Sequence, residues 1–400
     1  MRILVHDYSG HPFQVELSRE LARRGHDVTH SYCPAWPSGK GHLRAEPGET
    51  LTFDPVGPTE PIAKDAFVRR VVVEAKVGLD LLRQVRRRRA EIALLSNAQI
   101  PTLVVFALGM ILMRRPWVLW HQDVYAVAIR AFAGDKLGRG FRVVAAAFTI
   151  AERWISRRAS AIVVIAPSFV SIHEDWRTAD KVTVIPNWAP LEEIHPVPRA
   201  NAWAEEQGLD DTATLVYSGT LGLKHNPGLL VSLADAVATR GRPVRLVVVT
   251  EGPACDVLRA EAARLGVDLT LLPFQPYERL SEVLGSGDLL VVLLEQQAGA
   301  FSVPSKTLSY LCAGRPVLGM MPAENLAAEL IETAGGKVVP PQPASVAEAA
   351  AWVDELLDRP ERVEALGMAS RALAEKEFAL DVCADRFESI LSGAARRTRG

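Results

Sequence analysis

Residues 303–319, VPSKTLSYLCAGRPVLG, carry the reading of the whole chain. An apolar run, DLLVVLLE (288–295), precedes them, and the loop QQAGAFS (296–302) turns the chain between the two. Pro304 and Ser305 are helix-start residues, since proline presets φ and a serine hydroxyl accepts from a free N–H. Gly314-Arg315-Pro316 ends the short helix before a second apolar run. A helix N-terminus carries partial positive charge and open N–H donors, and Lys306 adds a full charge there. Strand, small-residue loop, helix start and lysine together point to an anionic ligand, a diphosphate in particular. An ordinary strand-to-helix connection with a surface lysine shows the same pattern, so the neighbouring segments matter.

Outward from this stretch, short β runs alternate with helices along the chain. The first half has ILV (3–5), IALL (92–95), WVLW (117–120), AIVVI (161–165) and VTVI (182–185). The helical segment FQVELSRELARRGH (13–26) repeats Phe13, Leu17 and Leu21 every fourth residue, and Gly25 closes it. The second half restarts with TLVYSG (214–219), VRLVVV (244–249), DLTLL (268–272), LLVVLL (289–294) and PVLGM (316–320). Unbroken Val/Leu strands separated by helices predict an α/β chain with two doubly wound parallel sheets. The Pro- and charge-rich stretch 186–211 lacks a strand run, which places a linker at 191–212 between domains 1–190 and 213–375. From about 344 the chain reads as alanine-rich helix. Its last part, 376–400, is expected to pack back on the first domain and to end in the basic tail AARRTRG.

Composition agrees with this plan. A chain of 400 residues exceeds one ordinary core, and 48% hydrophobic with 23% charged residues is globular. A net charge of −2 gives no reason to expect a nucleic-acid partner. Cys33, Cys255, Cys312 and Cys383 are scattered without CxxC spacing, which reads as reduced thiols and not as a zinc or disulfide framework. MRILV enters a strand at once with no secretory signal ahead, which predicts a cytoplasmic protein.

In open parallel sheets, ligands bind in the loops after the strands, so a cleft between two such domains is the expected site. Those loops are Ser218-Gly219-Thr220-Leu221-Gly222-Leu223-Lys224, then Thr250-Glu251-Gly252-Pro253, then Pro273-Phe274-Gln275-Pro276. Glycines admit a ligand close to the backbone, Lys224 and Lys306 supply countercharge, and Phe274 with Gln275 suits a flat base. No GxGxxG follows the first strand, and GxxxxGK[ST] does not occur.

The series YSGTLGLKHN (217–226), TEGP (250–253), PFQPYERL (273–280) and VPSKTLSYLCAGRPV (303–317), with VTVIPNWA (182–189), resembles family 4 (group 1) glycosyltransferases. The resemblance is to the branch that builds capsule, O-antigen and colanic-acid-type polysaccharides. It implies a GT-B fold, with two Rossmann-like domains facing a central cleft, acceptor side first and donor side second. It also implies retention of anomeric configuration, no cofactor and no catalytic metal. Lys224 matches the residue that holds the donor diphosphate, while Thr220 stands where an arginine is frequent. The ribose-binding acids would fall at Ser309 and Phe301, so Glu295 is a substitute from the strand end. Ser305, Lys306 and Thr307 then take more of the phosphate. The donor set is completed by Gly219, Gly222, Gly252, Phe274 and Gln275. On the acceptor side the resemblance marks His121 and Asp123 after WVLW, where a polar strand end with Asp123 as a cap fits equally, and Ser9, Gly10 and His11. His6 and Asp7, at the end of the first strand, are expected to face the cleft, whereas His26, His30 and His42 read as surface or loop residues.

RQVRRRR (83–89) and IPTLVVFALGMILM (100–113), followed by Arg114 and Arg115, read in two ways. The apolar run is too short to span a bilayer, which needs about 20 residues. It is either a core helix or a peripheral contact with anionic lipid. The activity expected is sugar transfer from a nucleotide-sugar, UDP favoured by resemblance, to a lipid-linked or growing polysaccharide acceptor. A nucleotide-sugar epimerase would need paired carboxylates that the chain does not offer. A non-catalytic nucleotide-sugar-binding subunit fits the missing acidic pair.

Overall fold

The computed structural model describes the chain except residues 9, 11, 36–42, 46, 60–66, 123–138, 210–211, 297–305 and 398–400; for 67–68, 139–142, 144 and 224 it describes the backbone alone. The chain divides into two units, Met1–Asn187 with Leu380–Gly400, and Trp188–Ala379.

The first unit holds a seven-stranded parallel sheet: β1 (Arg2–Asp7), β2 (Asp27–Ser31), β3 (Thr52–Phe53), β4 (Ile92–Ser96), β5 (Trp117–His121), β6 (Ala161–Val164) and β7 (Val182–Val184). The order is β3-β2-β1-β4-β5-β6-β7. The apolar runs became its middle, where β4 and β5 are buried at every position. Neither β2 nor β3 announces itself as a hydrophobic run. In DVTHS a polar side chain turns inward: His30 is fully buried and its Nδ1 lies 2.8 Å from Ser18 Oγ. His30 is therefore a core residue and not a surface one.

Helices Phe67–Arg87, Ile100–Leu112 and Arg139–Arg158 cover one face of this sheet, packing Leu81, Phe106 and Ile155 with Leu95, Leu119 and Ile162. The first two approach closely, because a Cβ on Gly78 would lie 2.8 Å from Thr102 O. The helices Pro12–Arg23 and Leu380–Arg397 pack on each other, the latter also on β4 and β5. Phe387 meets Trp120 with ring centroids 4.6 Å apart. Arg24 ties the same pair through Asp385 and Glu388.

The second unit holds a six-stranded parallel sheet: β8 (Ala213–Ser218), β9 (Val244–Val249), β10 (Asp268–Leu272), β11 (Leu289–Leu293), β12 (Val317–Met320) and β13 (Lys337–Val339), in the order β10-β9-β8-β11-β12-β13. Helices Gly228–Ala238, Ala254–Leu265 and Val346–Leu357 cover one face, and Leu280–Gly285, Lys306–Cys312 and Leu326–Thr333 the other. The expected linker 191–212 is part of this unit. Ile194 and Trp203 are fully buried, Arg199 pairs with Asp288 at 3.0 Å, and Asn201 caps helix Ala202–Glu206 by accepting from Ala204 N. The chain passes between the units at 187/188 and again at 379/380.

Candidate active site

In the second unit, the parallel register brings the ends of β8, β9 and β10 level, with Ser218 beside Val249 and Val249 beside Leu272. A pocket of about 470 Å³ opens there. Its lining includes Ser218, Gly219, Thr220, Phe274, Lys306 and Ser309. Segments far apart in the sequence thus supply one wall each.

Lys306 is the charged centre. Its Nζ donates to the Tyr217 hydroxyl and to Thr220 O at 3.2 Å, and sits 4.0 Å from the Tyr217 ring centroid. An ammonium has three protons, so among the described residues one stays available for a ligand. Burial pushes its pKa down to about 8, because a low-dielectric site disfavours the cation until an anion arrives. Burial also raises the Tyr217 phenol, which stays neutral and donates to Thr220 O at 2.9 Å. Tyr310 closes the floor: its hydroxyl donates to Ser218 O at 3.1 Å and accepts from Ser218 N at 2.8 Å. Gly219 has φ +132°, where a side chain is strained, and a Cβ there would meet Lys306 Nζ at 3.4 Å.

At the mouth, Phe274 and Tyr277 are exposed aromatics. The Gln275 side chain is already committed, accepting from Trp203 Nε1 at 3.0 Å and donating to Pro273 O at 2.9 Å. It braces the loop, and a base would meet the Phe274 ring and backbone groups. Phe274 N donates to Glu251 Oε1 at 3.2 Å.

Six expected donor residues, Gly219, Thr220, Phe274, Gln275, Lys306 and Ser309, line this pocket. Thr307 is corrected: it is fully buried, its Oγ1 finds no partner among the described residues, and it does not reach the pocket. Gly222, Gly252 and Glu295 are outside the lining. Gly222 precedes the turn Leu223–His225, Gly252 has φ +99°, and Glu295 N donates to His225 Nδ1 at 3.1 Å. Lys224 lies in that same turn, with its side chain outside the described residues. Ser305, Ser9, His11, His42 and Asp123 also lie outside them, while Gly10 is buried with φ +73°.

In the first unit, His121 ends β5 and is 5% exposed. Its Nε2 lies 3.0 Å from Glu152 Oε1, and its Nδ1 3.2 Å from His173 Nε2. The His173 Nδ1 lies 2.9 Å from Thr178 Oγ1, whose own proton goes to His173 O at 3.3 Å. Burial, then the neighbouring His121, lower the His173 pKa to about 3, so His173 is neutral. The four side chains form one buried line, Glu152 to His121 to His173 to Thr178, in which each ring nitrogen faces one partner. His121 is a clamped ring with both nitrogens taken, not a free acid or base. Glu152 and His173, distant in sequence, carry no local signal of this pairing.

Asn97, with φ +49°, donates to Asp7 Oδ1 at 3.3 Å and to Gln122 Oε1 at 3.4 Å, and Gln122 donates to Asn187 Oδ1 at 3.4 Å. This polar chain joins the ends of β1, β4 and β5 to the IPNW segment. His6, expected to face the cleft, is corrected: it is fully buried, its Nδ1 lies 3.1 Å from Ser31 O, and burial lowers its pKa to about 3.

Two all-parallel sheets, one with a lysine-bearing pocket at its strand ends, define a protein of the doubly wound α/β class. Residues 11–188 match the family described as Glycosyl transferase 4-like domain, and residues 200–373 match Glycosyl transferases group 1. The chain belongs to the family 4 (group 1) glycosyltransferases of GT-B fold. It is 25% identical to WcaI of Escherichia coli (strain K12), a glycosyl transferase named for colanic acid biosynthesis, over 89% of this chain and 92% of that one. It is 25% identical to the GDP-mannose-dependent monoacylated alpha-(1-6)-phosphatidylinositol monomannoside mannosyltransferase of Corynebacterium glutamicum, over 49% of this chain and 51% of that one. The structure of Alr3699/HepE from Anabaena in complex with UDP is similar in fold, with TM-score 0.69 and 15% identity over 98% of this chain and 100% of that chain.

Proposed function

We propose that this glycosyltransferase moves a sugar from a UDP-sugar to a hydroxyl of a lipid-linked or growing polysaccharide intermediate, with retention, without a catalytic metal, and on the cytoplasmic side. The observation that carries the reading is the pocket at the ends of β8, β9 and β10, where a half-buried lysine with a spare donor adjoins Gly219. A departing nucleoside diphosphate develops negative charge, and a preformed cation in a dry site lowers that barrier without reorganising. Lys306 would hold one phosphate oxygen, and Lys224 a second, as the family resemblance implies. Thr220 and Ser309 would face the donor, and the exposed ring of Phe274 would stack on its base. His121 would act by fixing the strand end that bears Gln122 and Asp123. The relative named for colanic acid points to a polysaccharide acceptor, and the fold neighbour bound to UDP favours UDP over the GDP of the mannosyltransferase.

A thermal-shift panel of UDP-, GDP- and dTDP-sugars tests the donor, since a ligand of the folded state raises Tm by mass action. UDP-sugars are expected to give the largest shift, and a larger GDP-sugar shift would reverse that choice. Release of nucleoside diphosphate should fall sharply in Lys224→Ala, and unchanged turnover would remove Lys224 from the mechanism. Ser309, where the resembling enzymes carry an acid, favours one second reading, a non-catalytic binding subunit. Binding without turnover would select it.

A further inference from the structure

The three helices over one face of the first sheet carry an uncovered apolar surface that sugar transfer does not use. Phe67–Arg87 exposes Val72 and Leu79, Ile100–Leu112 exposes Leu108 and Leu112, and Arg139–Arg158 exposes Val143 and Ile150. Leu112 is 84% exposed, and Val143 and Ile150 are each 69% exposed. Single apolar side chains on a surface are ordinary, but these fall on three adjoining helices. Two open grooves of about 490 and 440 Å³ run between the helices, lined by Val104, Ala147, Ala151 and their apolar neighbours.

The charges around this surface decide its partner. Crossover helices run opposite to the parallel strands, so all three end at the same edge of the sheet. Arginines gather at those ends: Arg86–Arg89, Arg114 and Arg157–Arg158, all exposed. Asp54 pairs with Arg87 and Arg88, and Asp80 with Arg83. Among the described residues no ion pair reaches Arg86, Arg89, Arg114, Arg157 or Arg158. Arg158 lies over the Trp154 ring, 6.0 Å from its centroid, so an amphipathic tryptophan marks the border between the apolar stripe and the cationic rim.

We propose that this face docks on a bilayer surface rich in anionic lipid, its apolar side chains entering the boundary between headgroups and acyl chains while the arginines bind lipid phosphates. Among the described residues no helix is long and apolar enough to cross a membrane, so the contact is peripheral. A lipid surface is favoured over a second copy because it offers phosphates to the whole arginine-bearing end of the face, and guanidinium forks fit phosphate directly. The inference does not depend on which nucleotide-sugar the second unit takes.

Flotation of the full chain with phosphatidylcholine vesicles, with and without phosphatidylglycerol, tests it. The protein should float with the anionic vesicles, stay behind with the neutral ones, and be released by salt. Leu112→Asp with Ile150→Asp should abolish flotation. Arg86→Gln, Arg89→Gln and Arg114→Gln should each weaken it on the order of fivefold, as expected for the loss of one charge near such a surface. Unchanged circular-dichroism melting would show that these variants are folded. No flotation with anionic vesicles would overturn the proposal, as would equal flotation of both variant sets. A wild-type dimer that Leu112→Asp with Ile150→Asp converts to monomer would assign the face to a second copy instead.

Discussion

Lys306 earns its place through its surroundings more than its charge. Burial holds its pKa near 8, so the ammonium is complete below that pH and is lost as pH rises through it. Binding of an anionic nucleotide-sugar favours the charged form, so affinity should be flat near neutrality and fall as pH climbs past about 8. Lys306→Gln should flatten the profile and weaken binding roughly ten- to a hundredfold, the worth of one charge-assisted hydrogen bond, as titration calorimetry across pH would show. The clamped His121 gives a second expectation. Glu152→Gln keeps the shape of the buried pair while changing its proton content, so it should lower turnover and leave donor affinity alone. Glu152→Ala should also cost roughly 1–3 kcal/mol of stability in urea melts, because it strands a buried polar partner. Lys306 and Gly219 were readable from local pattern, since each sits beside the helix start or strand end that marks it in the sequence. The Tyr217 hydroxyl, Trp203 against Gln275, and the Glu152–His121–His173 chain are pairings between distant segments, and no local period encodes them.

Among the elements, the central strands were legible because burial on both faces demands unbroken Val, Leu and Ile. The polar strand β2 and the short edge strands β3 and β13 escaped, since length and hydrophobicity both fall there. The basic, apolar segment 83–115 admitted two readings, and the core-helix reading holds for one side of its apolar run. Helix Ile100–Leu112 buries Phe106 and Met110 in the core and leaves Leu108 and Leu112 outside. Its contact with helix Phe67–Arg87 depends on a missing side chain. A methyl at Gly78 would meet Thr102 O at 2.8 Å and Val105 Cβ at 2.9 Å, so the helices must separate to admit it. Gly78→Ala is expected to cost about 1–3 kcal/mol despite its better helix propensity, read as a lower urea midpoint.

For the molecule as a whole, the interrupted first unit has the largest effect. Helix Leu380–Arg397 buries Cys383, Phe387 and Leu391 and completes the packing of Trp120 and of helix Pro12–Arg23. Removal of residues 380–400 should therefore leave the second unit protected from limited proteolysis and make residues 1–187 susceptible. Equal protection of both halves would contradict that dependence. The placement of 191–212 was misread from composition for a related reason: proline and charge suggest a linker, whereas Trp203 and Arg199 anchor the segment through partners some eighty residues later. The return of the chain at 379/380 also orders events during synthesis. Residues 188–379 can close on themselves as soon as they emerge, but the N-terminal sheet, though made first, must wait for the last helix. At about 5–20 residues per second that delay is on the order of ten to forty seconds. During it the Trp120 face of the nascent sheet stays open to solvent, which makes the earliest part of the chain the one most in need of a chaperone.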